Sequence, residues 1–469
     1  MNRQIIQGGM GVYVSTPYLA KSCSMHDNVL GTVSCVAAGP ILVRILQSGD
    51  SGGHFRRALA HFPFAEVASS VVRKYFVDGG IPAEQKFKPV PICSLKPHRE
   101  IVELSIVASF SLVWLAKEGH TGPVSMNLLE KMQRTLLYEI FGAMLAGVDY
   151  VTMGAGITLQ IPAVLDALSM GEPASYRVAV LESKEGTQTI SFDPACFFNA
   201  LLPELKRPDF LPIVSTDVLA SLMAKRLPAN SIQGFVVEKP IAAGHNAPPR
   251  GTLVVDEKGQ PVYGPRDAVA FEKLVALGIP FWIGGGFASP EGLARAQALG
   301  AVGIQAGSIF ALCEDSGMPP TFRREIRRLG RRGELVVRTD PTASPTGFPF
   351  KVVQLQGTQS DPTVYTARER VCDLCALAVP SERCDSTVGF RCPGEPEVDY
   401  ARKGGKSEDT PGVRCLCNGL LSAAGLGNPG ESPIFTLGDD VGFLRHLMED
   451  ESSSYTARDA VAYLLRGTA

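Results

Sequence analysis

Short apolar runs alternate with helical patterns along most of the chain. Two of these runs, Pro280 to Ile283 and Val302 to Gln305, are separated by an Ala- and Leu-rich segment with helical character. Continuous apolar runs of this length are typical of parallel strands that are buried on both faces. About eight such runs alternate with helices between Gln4 and Ser308, in a span close to the ~250 residues of a (β/α)₈ barrel plus insertions. The pattern therefore predicts an α/β protein with a TIM-barrel fold.

Three stretches depart from the simple alternation. Between Pro40 and Gly80, apolar residues recur at spacings of three and four, which predicts helices that cover the barrel wall or form an inserted lobe. The segments Tyr176 to Leu181 and Thr187 to Phe192 predict a hairpin that decorates the barrel. Leu104 to Ala116 is apolar throughout, and we interpret it as a strand, Ser105 to Ser109, that runs into a helix.

Small residues directly follow several predicted strands. Gly8 to Gly11 follows the first strand, while Gly284-Gly285-Gly286 and Ala306-Gly307-Ser308 follow the last two. Glycines at the end of a buried strand let backbone N–H groups approach a ligand closely. In a (β/α)₈ barrel the loops after strands 7 and 8 commonly hold a phosphate. The turns therefore predict a phosphate site, with close helix–strand packing as the alternative.

Composition restricts the classes of function. The chain has 469 residues, 45% of them hydrophobic, and a formal net charge of -2, so it can bury a large core and has no electrostatic reason to bind nucleic acid. Its longest apolar run is shorter than the roughly 18 to 20 residues of a membrane span. The first residues pass straight into a strand without a signal-peptide pattern. We therefore expect a cytoplasmic protein that binds neither nucleic acid nor membrane.

Two polar side chains follow predicted strands, at the end of a (β/α)₈ barrel where active-site residues lie. Asn127 ends the predicted strand that begins at Gly122, and at that rim a carboxamide can pair with a heterocycle or cap a turn. His245 follows the strand that ends at Glu238 and stands among small residues. Because an unperturbed histidine has a pKa of about 6.5, it exchanges protons near neutral pH. We expect Glu238 and Lys239 either to orient this histidine or to form an ion pair.

Five motifs in order resemble the nitronate monooxygenase family, formerly called 2-nitropropane dioxygenases. They are Gln7 to Gly11, Met126-Asn127, Gly244-His245-Asn246, Gly284 to Gly286 and Gly307-Ser308. The resemblance covers residues 4 to 350. The family consists of FMN-dependent barrels, and related members reduce enoyl thioesters or quinones with NAD(P)H. The chain departs from the family at Ala243, where a second glycine usually precedes Gly244 and the histidine.

The resemblance implies FMN as the cofactor and a role for each matching position. It places the turn at Gly9, Met10 and Gly11 against the isoalloxazine and Asn127 at the polar edge of that ring. It implies that His245 is catalytic and faces the substrate. The remaining cofactor-binding positions that it implies are Gly244 in the histidine turn and, around the phosphate, Gly285, Gly286, Gly307 and Ser308.

The reaction implied by the resemblance is the oxidation of alkyl nitronates, or a related carbanion, with O₂. An alternative is an NAD(P)H-dependent flavin reductase of an enoyl thioester or quinone. A third is a barrel that has lost catalysis and serves as a binding or scaffold protein. In both enzymatic interpretations the partners are a small-molecule substrate and O₂ or NAD(P)H, and a homodimer is compatible with each.

Six of the 11 cysteines crowd into one late stretch, namely Cys372, Cys375, Cys384, Cys392, Cys415 and Cys417. Two close pairs suit a Cys₄ zinc or iron–sulfur site, and C-x-x-C also suits a redox dithiol. Their irregular spacing instead favours buried structural thiols, so we predict no metal. We assign residues 1–340 to the barrel with its insertions, and 341–469 to a Cys-rich C-terminal extension packed on it. The loop Asp340 to Phe348 is predicted to be a substrate lid.

Overall fold

The computed structural model describes residues 3–383 and 385–467. One of the six clustered cysteines, Cys384, lies outside the described residues. Within the described part of the chain, no helix combines the length and the apolar character that crossing a membrane requires.

The described strands fall into one barrel and three hairpins. They are β1 (Ile5–Gln7), β2 (Val29–Ser34), β3 (Val124–Leu129), β4 (Tyr150–Gly154), β5 (Ala174–Ala179), β6 (Thr187–Phe192), β7 (Asp209–Val214), β8 (Phe235–Glu238), β9 (Phe281–Gly284), β10 (Gly303–Ala306), β11 (Val337–Asp340), β12 (Phe350–Val353), β13 (Val379–Glu382) and β14 (Val388–Arg391).

Helices follow each barrel strand and also fill the insertions and the tail. They are α1 (Pro17–Ser24), α2 (Ala38–Gln47), α3 (His54–Ala60), α4 (Ala65–Tyr75), α5 (Arg99–Lys117), α6 (Leu136–Leu145), α7 (Ile161–Ser169), α8 (Pro194–Phe198), α9 (Asp217–Arg226), α10 (Phe271–Ala276), α11 (Pro290–Ala298), α12 (Ser308–Ala311), α13 (Pro320–Arg332), α14 (Pro362–Ala367), α15 (Glu397–Arg402), α16 (Leu416–Ser422), α17 (Leu444–Leu447) and α18 (Ala457–Leu464). Short 3₁₀ helices span Ser51–Gly53, Pro265–Asp267 and Ser407–Asp409.

Eight parallel strands close into a barrel in the order β1, β10, β9, β8, β7, β4, β3, β2. Closure is made by the pairing of β1 with β10, in which Ile5 stands opposite Ile304. Side chains alternate between the two faces of each strand, so one set packs against the surrounding helices. The other set forms a separate buried cluster, made of Ile6, Leu30, Leu211, Val236 and Trp282. The predicted (β/α)₈ barrel is therefore confirmed.

The insertions confirm one local prediction and correct another. The hairpin of β5 and β6 is antiparallel and stands outside the barrel sheet, as predicted. The predicted strand from Ser105 to Ser109 is wrong, because the whole segment lies inside α5. This helix packs against α1, α2, α3 and α6 and is buried on nearly every side. A helix enclosed in this way loses the polar stripe by which a helical period is recognised.

The segment after the barrel folds back over the carboxyl ends of its strands. Strand β11 ends at residue 340, the predicted end of the barrel domain, and pairs with β12, which lies beyond that boundary. The division of the chain into two domains at this residue stays a prediction. The connecting loop is anchored, because the carboxylate of Asp340 accepts hydrogen bonds from the backbone N–H groups of Thr342 and Ala343. The same carboxylate pairs with Arg414 at 2.9 Å. A second hairpin, β13 with β14, follows in the Cys-rich stretch.

Candidate active site at the carboxyl ends of the strands

The first glycine turn, Gly8 to Gly11, is held by two buried polar side chains. The Gln7 carboxamide donates to the Gly8 carbonyl at 2.6 Å and accepts from the backbone N–H of Thr32 on β2 at 2.8 Å. The Ser15 hydroxyl donates to the same Gly8 carbonyl at 3.0 Å and accepts from the backbone N–H of Met10 at 2.9 Å. The turn is therefore fixed in position against β2 before any ligand binds.

Asn127 packs directly against this turn from the end of β3. A Cβ atom on Gly9 would lie 2.4 Å from the Asn127 side chain, so only glycine fits there. The Asn127 amide donates to the Gly9 carbonyl at 3.3 Å, whereas its buried Oδ1 has no hydrogen-bond partner among the described residues. Buried acceptors are nearly always satisfied in native proteins. An unpaired carbonyl oxygen beside a cavity therefore marks a place for a ligand N–H or O–H donor.

A small cavity lies over the ends of β1, β9 and β10. Its wall includes six residues of the glycine turns, and Gln305, Ser308 and the acidic residue Asp440 also line it. The six are Gly8, Gly9, Gly284, Gly285, Gly286 and Gly307. Gly285 and Gly286 have φ values of +90° and +78°, which side-chain-bearing residues rarely adopt. Within the described residues, the backbone N–H groups of Gly286 and Gly307 have no hydrogen-bond acceptor. We call this space the glycine-lined cavity.

A larger cavity adjoins the first and shares Gly9, Met10, Glu238, Ala243 and Ser308 with it. One side is lined by the barrel turns, including Gly11, Asn127, Gly244 and His245. The other side comes from the tail. Its residues, which we call the tail wall, are Leu416, Cys417, Leu420, Ala423, Ile434, Phe435, Thr436 and Leu437. The large cavity is therefore mostly apolar, with a few polar groups on its barrel side.

His245 is held in this cavity by the β11–β12 hairpin. Its backbone bridges to Phe350, and the two rings meet edge to face with centroids 4.9 Å apart. Its Nε2 is hydrogen-bonded to the Ser344 hydroxyl at 2.7 Å. Burial, reinforced by the charge of Lys131, lowers the pKa of His245 to about 4. The imidazole is therefore neutral at neutral pH.

Glu238, at the end of β8, lines both cavities. Burial raises the pKa of its carboxyl to about 7. The ion pair with Lys239 that the sequence suggests is not formed among the described residues, because the Lys239 ammonium lies over the Phe287 ring, 5.3 Å from its centroid. The carboxyl instead lies between the two cavities, and no charged group among the described residues pairs with it. A group so placed is often functional in proteins.

The structure brings the sequence-predicted positions together in two sets. Gly11, Asn127, Gly244 and His245 line the large cavity, and Gly285, Gly286 and Gly307 line the glycine-lined cavity. Gly9, Met10 and Ser308 line both. Sequence reasoning missed the tail wall and the Ser344 contact to His245. The sequence indicates a role for Ser344 only through its position within the predicted lid. For the tail wall, the apolar residues of Leu416 to Leu421 gave no sign of the surface that they meet.

No family model matches the chain. A stretch of 173 residues, 37% of the chain, is 29% identical to (3aS,4S,5R,7aS)-5-hydroxy-7a-methyl-1-oxo-octahydro-1H-indene-4-carboxyl-CoA dehydrogenase of Mycobacterium tuberculosis. The matched stretch spans 43% of that protein. Two solved structures are similar over most of their length. FabK from Thermotoga maritima has 16% identity and a TM-score of 0.46, covering 99% of this chain and 92% of that one. Nitroalkane oxidase from Streptomyces ansochromogenes has 13% identity and a TM-score of 0.42, covering 98% and 94%.

Proposed function

We propose that this protein is an FMN-dependent oxidoreductase. The observation that carries the proposal is the pair of adjoining cavities at the carboxyl ends of the barrel strands, one lined by glycine turns and one apolar with His245 in its wall. Barrel enzymes hold their active sites at this end, and a phosphate site formed by the last two turns is common among them. The two cavities suit one ligand that has an anionic end and a flat apolar end.

The residues present fit FMN. The backbone N–H groups of Gly286 and Gly307, which have no acceptor among the described residues, would hold its terminal phosphate. The free Oδ1 of Asn127 would accept from an N–H at the polar edge of the ring, and the free Oε1 of Gln305 would accept from a hydroxyl nearer the phosphate. When bound, FMN supplies the electron transfer, while the protein binds, orients and manages protons.

The reaction that we favour is the oxidation of an alkyl nitronate, or a related carbanion, with O₂. A proton on Nε2 of His245 would donate to Ser344, which leaves the lone pair of Nδ1 to take a proton from the carbon of a neutral substrate. Lys131, close enough to lower the pKa of His245, would attract the negative charge that the substrate then carries. The tail wall would exclude water from the carbanion.

A second candidate is the NAD(P)H-dependent reduction of an enoyl thioester. Two observations favour it, namely the extended apolar tail wall, which suits an acyl chain, and the partial similarity to a carboxyl-CoA dehydrogenase. In this reaction His245 would deliver a proton to the substrate carbon after reduction.

Anaerobic mixing separates the two candidates. The purified flavoprotein would be combined in turn with NADH, NADPH and a nitronate, and flavin absorbance would be followed. Bleaching by the nitronate alone supports carbanion oxidation, whereas bleaching by a nicotinamide followed by recovery with an enoyl thioester supports the reductase. Protein that releases FAD, or no flavin at all, would contradict the cofactor assignment.

A further inference from the structure

Five cysteines of the tail lie together beside the large cavity. Cys375 and Cys392 are buried in one small cluster, and Cys372 packs against it. Cys372 is also close enough to Cys392 and Cys415 for their charges to affect its titration, and Cys415 is hydrogen-bonded to Cys417. All five are free thiols. Neither of the proposed reactions uses them.

The cluster can be compared with the arrangement that a metal ion needs. Among the residues that the structure describes, no group of three or more histidine, cysteine, aspartate or glutamate side chains is arranged to hold a metal ion. Cys372 and Cys375 can instead form a disulfide, because C-x-x-C spacing brings two thiols within reach of each other. In a protein of a reducing compartment, such a pair is commonly redox-active.

A buried cation stands beside one thiol of this pair. The guanidinium of Arg134 donates to the backbone carbonyl of Cys375 and to that of Cys93, the latter at 2.6 Å. It also stacks over Phe390, 4.3 Å from the ring centroid. Arg134 is 6% exposed, and no carboxylate within the described residues pairs with it. Its positive charge is therefore available to a thiolate.

The pKa values of the two thiols are shifted in opposite directions, as expected for the attacking and the resolving cysteine of a redox pair. The pKa of Cys375 is lowered, first by a hydrogen bond from Cys372 and then by the charge of Arg134. The pKa of Cys372 is raised, because it supplies that hydrogen bond and is itself largely buried. Since the thiolate is the reactive form, Cys375 is the nucleophile of the pair.

We propose that Cys372 and Cys375 form a reversible disulfide and so constitute an oxidation site directly beside the wall of the large cavity. The Cys375 thiolate attacks one sulfur of a low-molecular-weight disulfide, RSSR, and RS⁻ leaves and takes a proton. Cys372 then loses its proton and attacks the Cys375 sulfur of the mixed disulfide, which releases a second RSH. Two electrons pass from the dithiol to RSSR, and two RSH molecules are formed.

The consequence for the cavity follows from the next two residues. Ala376 and Leu377 come directly after Cys375 and line the large cavity. A disulfide between Cys372 and Cys375 would tether the start of this segment and shift its lining side chains. Oxidation would therefore change the substrate side of the site and leave the glycine turns untouched.

Peptide mapping of the full-length protein tests the proposal without any variant. Reduced protein would be equilibrated with mixtures of glutathione and glutathione disulfide, alkylated with iodoacetamide and digested with trypsin. Cleavage after Arg370 and Arg383 yields one peptide that carries Cys372 and Cys375 and no other cysteine. We expect this peptide to lose both alkyl groups and the mass of two hydrogen atoms on oxidation, and to regain the alkyl groups after treatment with dithiothreitol.

Two variants sharpen the result. In Cys375→Ser the internal disulfide should be lost, and Cys372 should stay alkylated. Cys196→Ser removes an exposed cysteine of α8 and should leave the peptide's behaviour unchanged. At limiting iodoacetamide, Cys375 should react before Cys372. Complete alkylation at every glutathione ratio, a disulfide to Cys392 or Cys415, or stoichiometric zinc or iron that is lost in Cys372→Ser would each overturn the proposal.

Discussion

The first glycine turn, Gly8 to Gly11, and the tail wall enclose the same large cavity but are held in place by different kinds of contact. The turn is a short segment fixed by neighbours on adjacent strands, as when Gln7 and Ser15 bind the Gly8 carbonyl. The tail wall comes from a part of the chain more than a hundred residues beyond the last barrel strand, and it is attached through side chains such as the Thr436 hydroxyl, which accepts from Gly244 N–H at 2.8 Å. Contacts between neighbouring strands therefore fix the barrel side of the cavity, whereas contacts between residues distant in sequence fix the tail wall.

The largest effect expected on the glycine side is the loss of flavin. Gly307 has a negative φ, and a Cβ atom there would touch only Met10, at an ordinary 3.7 Å. Gly307→Leu should therefore fold, yet place its side chain in the glycine-lined cavity and yield colourless protein. Bound FMN per chain would be measured after denaturation, with circular dichroism as the check on folding.

The matched control is Gly264→Leu, also at negative φ and in open space. A full complement of flavin in the Gly307 variant would remove the phosphate site from this cavity.

The next effect concerns His245, which the turns and the β11–β12 hairpin position together. His245→Asn should slow turnover of a neutral nitroalkane by ~10²- to 10⁴-fold, the usual loss when a positioned base is removed. Turnover of the preformed nitronate and the FMN content should change little, because that substrate has already lost its proton. Steady-state rates on both forms of one substrate check this. Equal losses on the two forms would show that the histidine positions substrate and does not take a proton.

The pH profile of the same reaction separates a buried from an exposed histidine. Because burial lowers the pKa of His245 to about 4, the base form is present at all higher pH values. The kcat/KM for the neutral substrate should therefore stay constant as pH falls from 8 to 5 and decline only near pH 4. An ordinary histidine, with a pKa of about 6.5, would produce the decline near neutrality. Glu238 lines the same cavity and has a pKa of about 7, so a decline near neutrality that persists in Glu238→Gln would show that His245 is solvated in the working enzyme.

The ionisation of Glu238, which lines both cavities, should lower the free energy of unfolding of the protein. Burial raises the pKa of its carboxyl from 4.5 in the unfolded chain to about 7. Below pH 4.5 the group is protonated in both states and has no effect, but between pH 4.5 and 7 the unfolded chain ionises first and the folded state loses stability. At pH 8 this loss amounts to roughly 3 kcal/mol. Glu238→Gln should therefore stabilise the protein at pH 8 and not at pH 4, as measured by chemical denaturation of the flavin-free protein. A gain of equal size at both values would exclude ionisation as the cause.

The smallest effect belongs to Ser344, the hairpin's contact to His245. Ser344→Ala removes the hydrogen bond to His245 together with two hydrogen bonds to Thr346. The bond to His245 is worth about 0.5–1.5 kcal/mol, which corresponds to a factor of about 2 to 10 in rate. The loss should appear with neutral nitroalkane and be absent with nitronate, since only the proton transfer uses the imidazole. Kinetics on both substrate forms, compared with a Thr366→Ala control on α14, whose hydroxyl donates to the Pro362 carbonyl of the same helix, test this. No difference between Ser344→Ala and that control would remove Ser344 from the orientation of the histidine.

These contrasts explain which features the sequence predicts and which it does not. The strands β9 and β10 and their turns are apparent because an apolar run followed by glycines has few structural solutions. The helix α5 was misassigned because burial on almost every side hides its period. The expected ion pair of Glu238 and Lys239 failed for a different reason, since adjacent residues of a strand point to opposite faces. The tail wall escaped prediction because apolar residues such as Leu416 and Leu420 carry no record of the distant surface that they cover.

The attachment of the tail wall has a consequence for how enzymes of this kind diversify. Its lining residues lie on two short segments, Leu416 to Ala423 and Ile434 to Leu437, and neither belongs to a barrel strand. With FMN bound as proposed, recombination or drift confined to these two segments would exchange the surface that meets the substrate, while the cofactor-binding positions in the barrel turns were inherited unchanged. Selection for a new substrate would then proceed with the barrel's part of the cofactor site intact.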